Sequence, residues 1–179
     1  MPYLVAAVVL ASALGTLNLL LTLAVIRRLR EHTELLAGLA TGAGSGIIEA
    51  GQTPGDFAVT DTDGSVVRRE NLGGDVLVAF FSPDCPACTD ALPRFVTQAA
   101  GFPGGRVQVL GVVTGDGPGV TGLADRLNGV ARVVVDGIDG KLATAFQARA
   151  FPSWCLLDAT GTVARSGSGW TELPVPVPA

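Results

Sequence analysis

Hydrophobic and polar positions divide the chain into three regimes. From Tyr3 to Ile26 apolar residues run for 24 positions without a charge, interrupted only by Ser12, Thr16, Asn18, Thr22 and small glycine or alanine steps. As a helix rising ~1.5 Å per residue, this run reaches about 36 Å, enough to cross a ~30 Å hydrocarbon core with some tilt. It is longer than the apolar core of a cleaved signal, and no basic stretch precedes it. Residues 3–26 are therefore expected to form a transmembrane anchor. Beyond Arg27, Arg28 and Arg30, the leucines at 29, 35, 36 and 39 keep helical spacing for about three turns. The pattern then dissolves between Gly38 and Gly55 into six glycines and a proline with few large side chains, a flexible composition. Residues 27–52 are assigned to a juxtamembrane helix and Gly-rich linker, residues 53–166 to the folded domain.

Within that domain the period changes. Phe57–Val59 and Val66–Val67, joined by the polar turn Asp61–Gly64, predict a β-hairpin. Asp75–Phe81 is a continuous apolar run bounded by Gly74 and Pro83, which fits a strand buried on both faces. Thr89–Ala100 reads as a helix, Arg106–Val113 as a second buried strand, Leu123–Leu127 as a short helix and Arg132–Val135 as a third strand. Lys141–Ala148 is helical again. Trp154–Leu157 and Thr162–Arg165, around the turn Asp158–Gly161, form a closing hairpin. Strands alternating with helices imply an α/β fold: a three-layer α/β/α sandwich with a mixed central sheet. Residues 167–179, with alternate prolines, are expected to be an extended, poorly ordered tail.

Composition narrows the chemistry. From Glu49 onward there are 14 Asp and Glu against 9 Lys and Arg, an acidic balance that argues against a nucleic-acid partner. Three cysteines (Cys85, Cys88 and Cys155) are too few for a disulfide-stapled secreted scaffold. With His32 the only histidine, and beside the anchor, they also make a poor metal site. No metal or cofactor is expected.

Placement makes Cys85-Pro86-Ala87-Cys88 a strong candidate site. The first cysteine falls where a buried strand ends and a helix begins. A helix N-terminus offers unpaired N–H groups and a positive dipole end, which favour a thiolate over a thiol. Pro86 suits the first helical turn, where its missing N–H costs nothing. Cys88 lies one turn deeper, within reach of the Cys85 sulfur. The spacing fits a reversible pair in which Cys85 attacks a substrate disulfide and Cys88 resolves the mixed disulfide.

The stretch Phe80-Phe81-Ser82-Pro83-Asp84-Cys85-Pro86-Ala87-Cys88 resembles the strand-to-CxxC junction of the thioredoxin superfamily. It is most similar to the membrane-tethered TlpA-like branch that includes MauD-like proteins. Pro93 matches the family's helix-kinking proline, and Phe151-Pro152-Ser153, with Trp154–Asp158 and Gly161, resembles its cis-proline loop and closing hairpin. The likeness runs from about Thr53 to Arg165. It implies a cis Pro152 packed against the CxxC, and a Phe151 backbone able to pair with an extended substrate. Protein thiols and disulfides would be the substrates, with an upstream thiol donor or acceptor of electrons. Three positions depart from the family. Asp84 replaces a tryptophan and sets a negative charge against Cys85; Ala79 replaces a buried acid; the C-terminal helix has no counterpart in the Pro-rich tail. Cys155 reads as a buried small hydrophobe.

The leading reading is a membrane-tethered thiol–disulfide oxidoreductase. A second is a redox-linked binding or assembly factor for a disulfide-containing partner. A third is a peroxiredoxin-like peroxidase, which would need a threonine shortly before its reactive cysteine, where this chain has Ser82 and Pro83. The arginines after the span favour a cytoplasmic domain by the positive-inside rule. The family resemblance implies the opposite side, and the extracytoplasmic placement at the cell membrane is the one adopted.

Overall fold

The computed structural model describes residues 46–170, together with Gly15, which is helical. The chain divides into two compact units, Met1–Ala43 and Gly44–Ala179, and the fold below is that of the second. The expected anchor at 3–26, Gly15 apart, and the expected juxtamembrane helix lie outside the described residues. Among the described residues no helix is long and apolar enough to cross a membrane.

The hairpin forms as expected from β1 (Ala58–Thr60) and β2 (Val66–Arg68), paired antiparallel. Its turn is held by Asp61, whose carboxylate accepts the N–H groups of Asp63 and Ser65 at 3.1 and 2.8 Å. Then follow β3 (Val76–Phe81), α1 (Pro86–Ala99), β4 (Val109–Thr114), α2 (Gly119–Asn128), β5 (Arg132–Asp136), α3 (Lys141–Ala145), β6 (Ser153–Leu157) and β7 (Val163–Ser168). The five strands β3 to β7 build one sheet in the order β5-β4-β3-β6-β7, separate from the hairpin. Strands β3, β4 and β5 run parallel; β6 is antiparallel to β3, and β7 to β6.

The unbroken apolar run of β3 is explained by its central position. All six of its residues are buried, and the period-2 alternation of a strand sends them to opposite faces. Val76, Val78 and Phe80 join one core with Ile48, Phe57, Leu142 and Phe146. Leu77, Ala79 and Phe81 join a second with Leu92 and Phe95 of α1 and Leu123 and Leu127 of α2. Each face is sealed by aromatic contacts, Phe80–Phe146 at 5.6 Å on one side and Phe81–Phe95 at 5.0 Å on the other. Burying each such side chain contributes roughly 1.5–3 kcal/mol, so both layers are needed to hold β3 in place.

Several element limits differ from expectation. The strand expected from Arg106 begins only at Val109, because Gly104 and Gly105, both at positive φ, lead into a 3-10 turn over Gly105–Gln108. Helix α1 starts three residues earlier, at Pro86, and so contains the CPAC segment. Helix α3 stops at Ala145 instead of 148, just ahead of Gln147 at φ 53°. Both outer limits of the domain also move. Ile47 and Ile48, placed in the linker by composition, are buried, and the Ile48 N–H donates to the Phe146 carbonyl at 2.8 Å. At the other end β7 continues through Ser168, past the expected boundary at 166. Trp170, expected in the loose tail, is buried against Phe95 at 4.8 Å and donates its indole N–H to the Gln98 side-chain oxygen at 2.8 Å.

Candidate active site

Strand β3 delivers the chain to the reactive segment. After Phe81 the Ser82–Asp84 turn closes with the Cys85 N–H donating to the Ser82 carbonyl at 3.3 Å. Cys85 is the N-cap of α1, extended at φ −102° and ψ 110°, with Pro86 in the first helical turn. Its carbonyl accepts the Cys88 N–H at 3.0 Å and the Thr89 N–H at 3.2 Å. Its sulfur also accepts the Cys88 N–H, at 3.3 Å. A sulfur thus takes the place that a serine or aspartate oxygen usually fills at a helix start.

The two cysteines sit in different surroundings. Cys85 is partly exposed; Cys88 is 1% exposed. Burial first, and the hydrogen bond with Cys85 after it, push the Cys88 thiol up to about 12, while the Ser82 N–H, 3.5 Å from its sulfur, works the other way. The outer cysteine is therefore the accessible sulfur of the two. The inner one holds its proton well into the alkaline range. Both are free thiols, as is Cys155.

Phe151 and Pro152 come to the same place from the other end of the chain. The Phe151–Pro152 peptide bond is cis. The Cys85 thiol donates to the Phe151 carbonyl at 3.3 Å, so that carbonyl, expected to be open for a substrate, is held by Cys85 itself. Phe151 packs against both cores, at the seam between the layers. Cys155 is fully buried in the layer opposite to Cys88, across from Val78 on β3, and burial raises its thiol well above the ordinary range. The sheet separates it from Cys85 and Cys88.

Asp84 is exposed and Ala79 fully buried on the Cys88 side of the sheet. The inner thiol thus shares its core with an alanine, not with an acid. Pro93 lies inside α1, and the Thr97 hydroxyl donates to its carbonyl at 3.0 Å. Among the described residues no group of His, Cys, Asp or Glu is arranged to hold a metal ion.

One part of the site was missed from the sequence. A cleft of about 320 Å³ opens beside Cys88, between the Ser82–Pro83 turn, the first turns of α1, and α2. Gly119, Gly122, Leu123 and Arg126 line it from α2. Their spacing of three and four residues, which puts them on one face of a helix, was the available signal.

The family model that matches, described as the AhpC/TSA family, spans residues 50–166. No curated protein sequence matches the chain. Among solved structures, the pneumococcal exposed lipoprotein thioredoxin of Streptococcus pneumoniae is 25% identical with a TM-score of 0.50, over 66% of this chain and 92% of that one. DsbF of MTB, solved in mixed oxidised and reduced forms, is 24% identical with a TM-score of 0.52, over 65% and 86%. The thioredoxin domain of a thiol-disulfide oxidoreductase from Bacteroides vulgatus is 18% identical with a TM-score of 0.55, over 68% and 90%. These likenesses carry the fold, and the family match runs through the β3–CPAC–α1 junction and the cis-proline loop alike. By its fold and by that match, the chain belongs to the AhpC/TSA family of thioredoxin-like proteins.

Proposed function

We propose that the chain is a thiol–disulfide oxidoreductase acting on protein thiols and disulfides through Cys85 and Cys88. It would be tethered to the cell membrane by residues 3–26, with its redox domain on the extracytoplasmic side. The observation that carries the redox reading is the asymmetry of the pair. A partly exposed Cys85 caps a helix and touches the Phe151 carbonyl, while a buried Cys88 waits one turn below. In the reducing direction the Cys85 thiolate attacks one sulfur of a client disulfide. A mixed disulfide forms and the other client sulfur leaves as a thiolate. Cys88 then gives up its proton to solvent and attacks the Cys85 sulfur, and the second client sulfur departs. The client disulfide has gained two electrons, and the Cys85–Cys88 pair has become a disulfide. The oxidising direction is the same sequence reversed.

The trapping experiment tests this directly. Cys88→Ser is expected to accumulate covalent adducts at Cys85, reversible by dithiothreitol. Cys85→Ser is expected to form none and to lower disulfide exchange to the uncatalysed rate. Absence of adducts with any thiol partner would overturn the assignment. Retained support of partner maturation by the double variant Cys85→Ser/Cys88→Ser would favour an assembly factor instead. Rapid turnover of hydrogen peroxide would favour the peroxidase. The contacts of the Cys85 sulfur, the Cys88 N–H and the Phe151 carbonyl, supply no threonine or arginine for that chemistry. A reporter fused after Ala179, phosphatase for the outer side or a fluorescent protein for the inner, tests the topology.

A further inference from the structure

The oxidoreductase reading leaves open which client segments the site prefers, and the cleft beside Cys88 bears on that question. Its floor is apolar: Leu92 of α1 and Leu123 of α2 are both buried beneath it. Gly119 and Gly122 keep its α2 wall low. A Cβ at Gly119 would meet the Pro83 side chain at 2.9 Å, whereas one at Gly122 would meet nothing within 4 Å, so the wall closes on the Pro83 turn at Gly119 and is open space at Gly122. Arg126 is the single charged side chain in the lining. It is exposed, and neither ion pair among the described residues involves it. The nearby acids, Asp84 of the turn and Asp90 of α1, are not part of the lining. In a domain with an acidic balance, the cleft thus joins an apolar seat to an unpaired positive charge, one helical step along α2 from Leu123.

Resting on the oxidoreductase reading, we propose that this cleft is a specificity subsite for client segments that carry an apolar side chain and then a carboxylate near the reacting cysteine. The register follows from geometry. The cleft borders Cys88 and Thr89, three and four residues into the helix that Cys85 caps, which is a rise of about 5 Å. Two residues of extended chain advance about 7 Å, and alternate side chains share a face. A client bound through its cysteine to Cys85 therefore sets the side chain two positions away over Leu92 and Leu123. The next side chain on the same face, two positions beyond, reaches Arg126. Asp84 disfavours a carboxylate beside the reacting cysteine itself, so the two charges together select where the client's acid lies.

The test uses the full chain, reduced, with short peptides whose single cysteine is capped as a mixed disulfide with thionitrobenzoate. Exchange releases the coloured thiol. One peptide places leucine and glutamate two and four positions from the cysteine, a second replaces glutamate with lysine, and both are made in each chain direction. An exposed charge pair is worth about 1 kcal/mol at most. The glutamate peptide is therefore expected to react about fivefold faster than the lysine peptide at low salt, in at least one direction. The ratio should fall towards unity with added salt and in Arg126→Gln, and invert in Arg126→Glu. Gly122→Leu, which fills the cleft from a position with room for a side chain, should erase the advantage of leucine over glycine at the seat. Equal rates for the two peptides, or a ratio unmoved by Arg126→Glu, would overturn the subsite while leaving the oxidoreductase intact. Failure of the folded protein to release thionitrobenzoate from any peptide would instead overturn the oxidoreductase reading, and the subsite with it.

Discussion

At the scale of single residues, the site depends on placing two identical side chains in different media. Cys85 reaches solvent and Cys88 does not, and that difference follows from one turn of helix laid against a sheet. A thiol whose native value is raised holds its proton more tightly folded than unfolded. The associated stability is then full below the unfolded value of 9.0 and is lost as pH rises towards about 12. Cys155 shifts in the same direction for the same reason, burial. The reduced protein is accordingly expected to show a lower urea midpoint at about pH 10 than at about pH 8, and Cys155→Ala to lose less over that interval. Equal midpoints would mean that the thiols are not buried as described. The residues gathered at the candidate site were legible in the sequence because their signals are local: two cysteines three apart at a strand end, and a proline after Phe151. The Phe151 carbonyl was not legible as a partner of the Cys85 thiol, since nothing local joins positions 66 residues apart.

Among the elements, the least expected is the end of the sheet. The Ser166–Ser168 segment of β7 has the composition of a loop, yet it is held in register by β6, with Gly167 opposite Trp154. A Cβ at Gly167 would come within 2.9 Å of the Trp154 ring, so the absence of a side chain is what lets the two strands close. Just beyond, Trp170 lays its ring on Phe95 and Phe81 and covers the α1 face of the core. Trp170→Ala is expected to cost about 3–5 kcal/mol in urea denaturation. Gln98→Ala, which removes only the indole's acceptor, should cost about 0.5–1.5 kcal/mol. Similar small losses for both would mean that Trp170 is not part of the core. Periodicity recovered the strands and helices because burial on one or two faces writes itself into neighbouring residues. It could not recover Trp170, whose hydrogen-bond partner Gln98 lies 72 positions away and which follows Ser168 and Gly169 with no apolar period.

For the whole molecule, the folded unit is wider than its composition suggests. Ile47 and Ile48 enter the core on the α3 side, and Trp170 closes the opposite side. A fragment cut at residues 53–166, the limits that composition draws, therefore removes buried side chains from both layers. It is expected to melt well below a fragment of residues 46–170, and the two compared by calorimetry check it; equal melting temperatures would place those residues outside the cooperative unit. The arrangement of that second layer also decides what the protein can report about itself. Its only tryptophans, Trp154 and Trp170, stand 6.4 Å apart at 74°. They share their cluster with Cys85 and Cys88. All the indole light the chain emits comes from the side of the sheet where Cys85 and Cys88 lie, so the protein carries an optical reporter of its candidate site without any added dye.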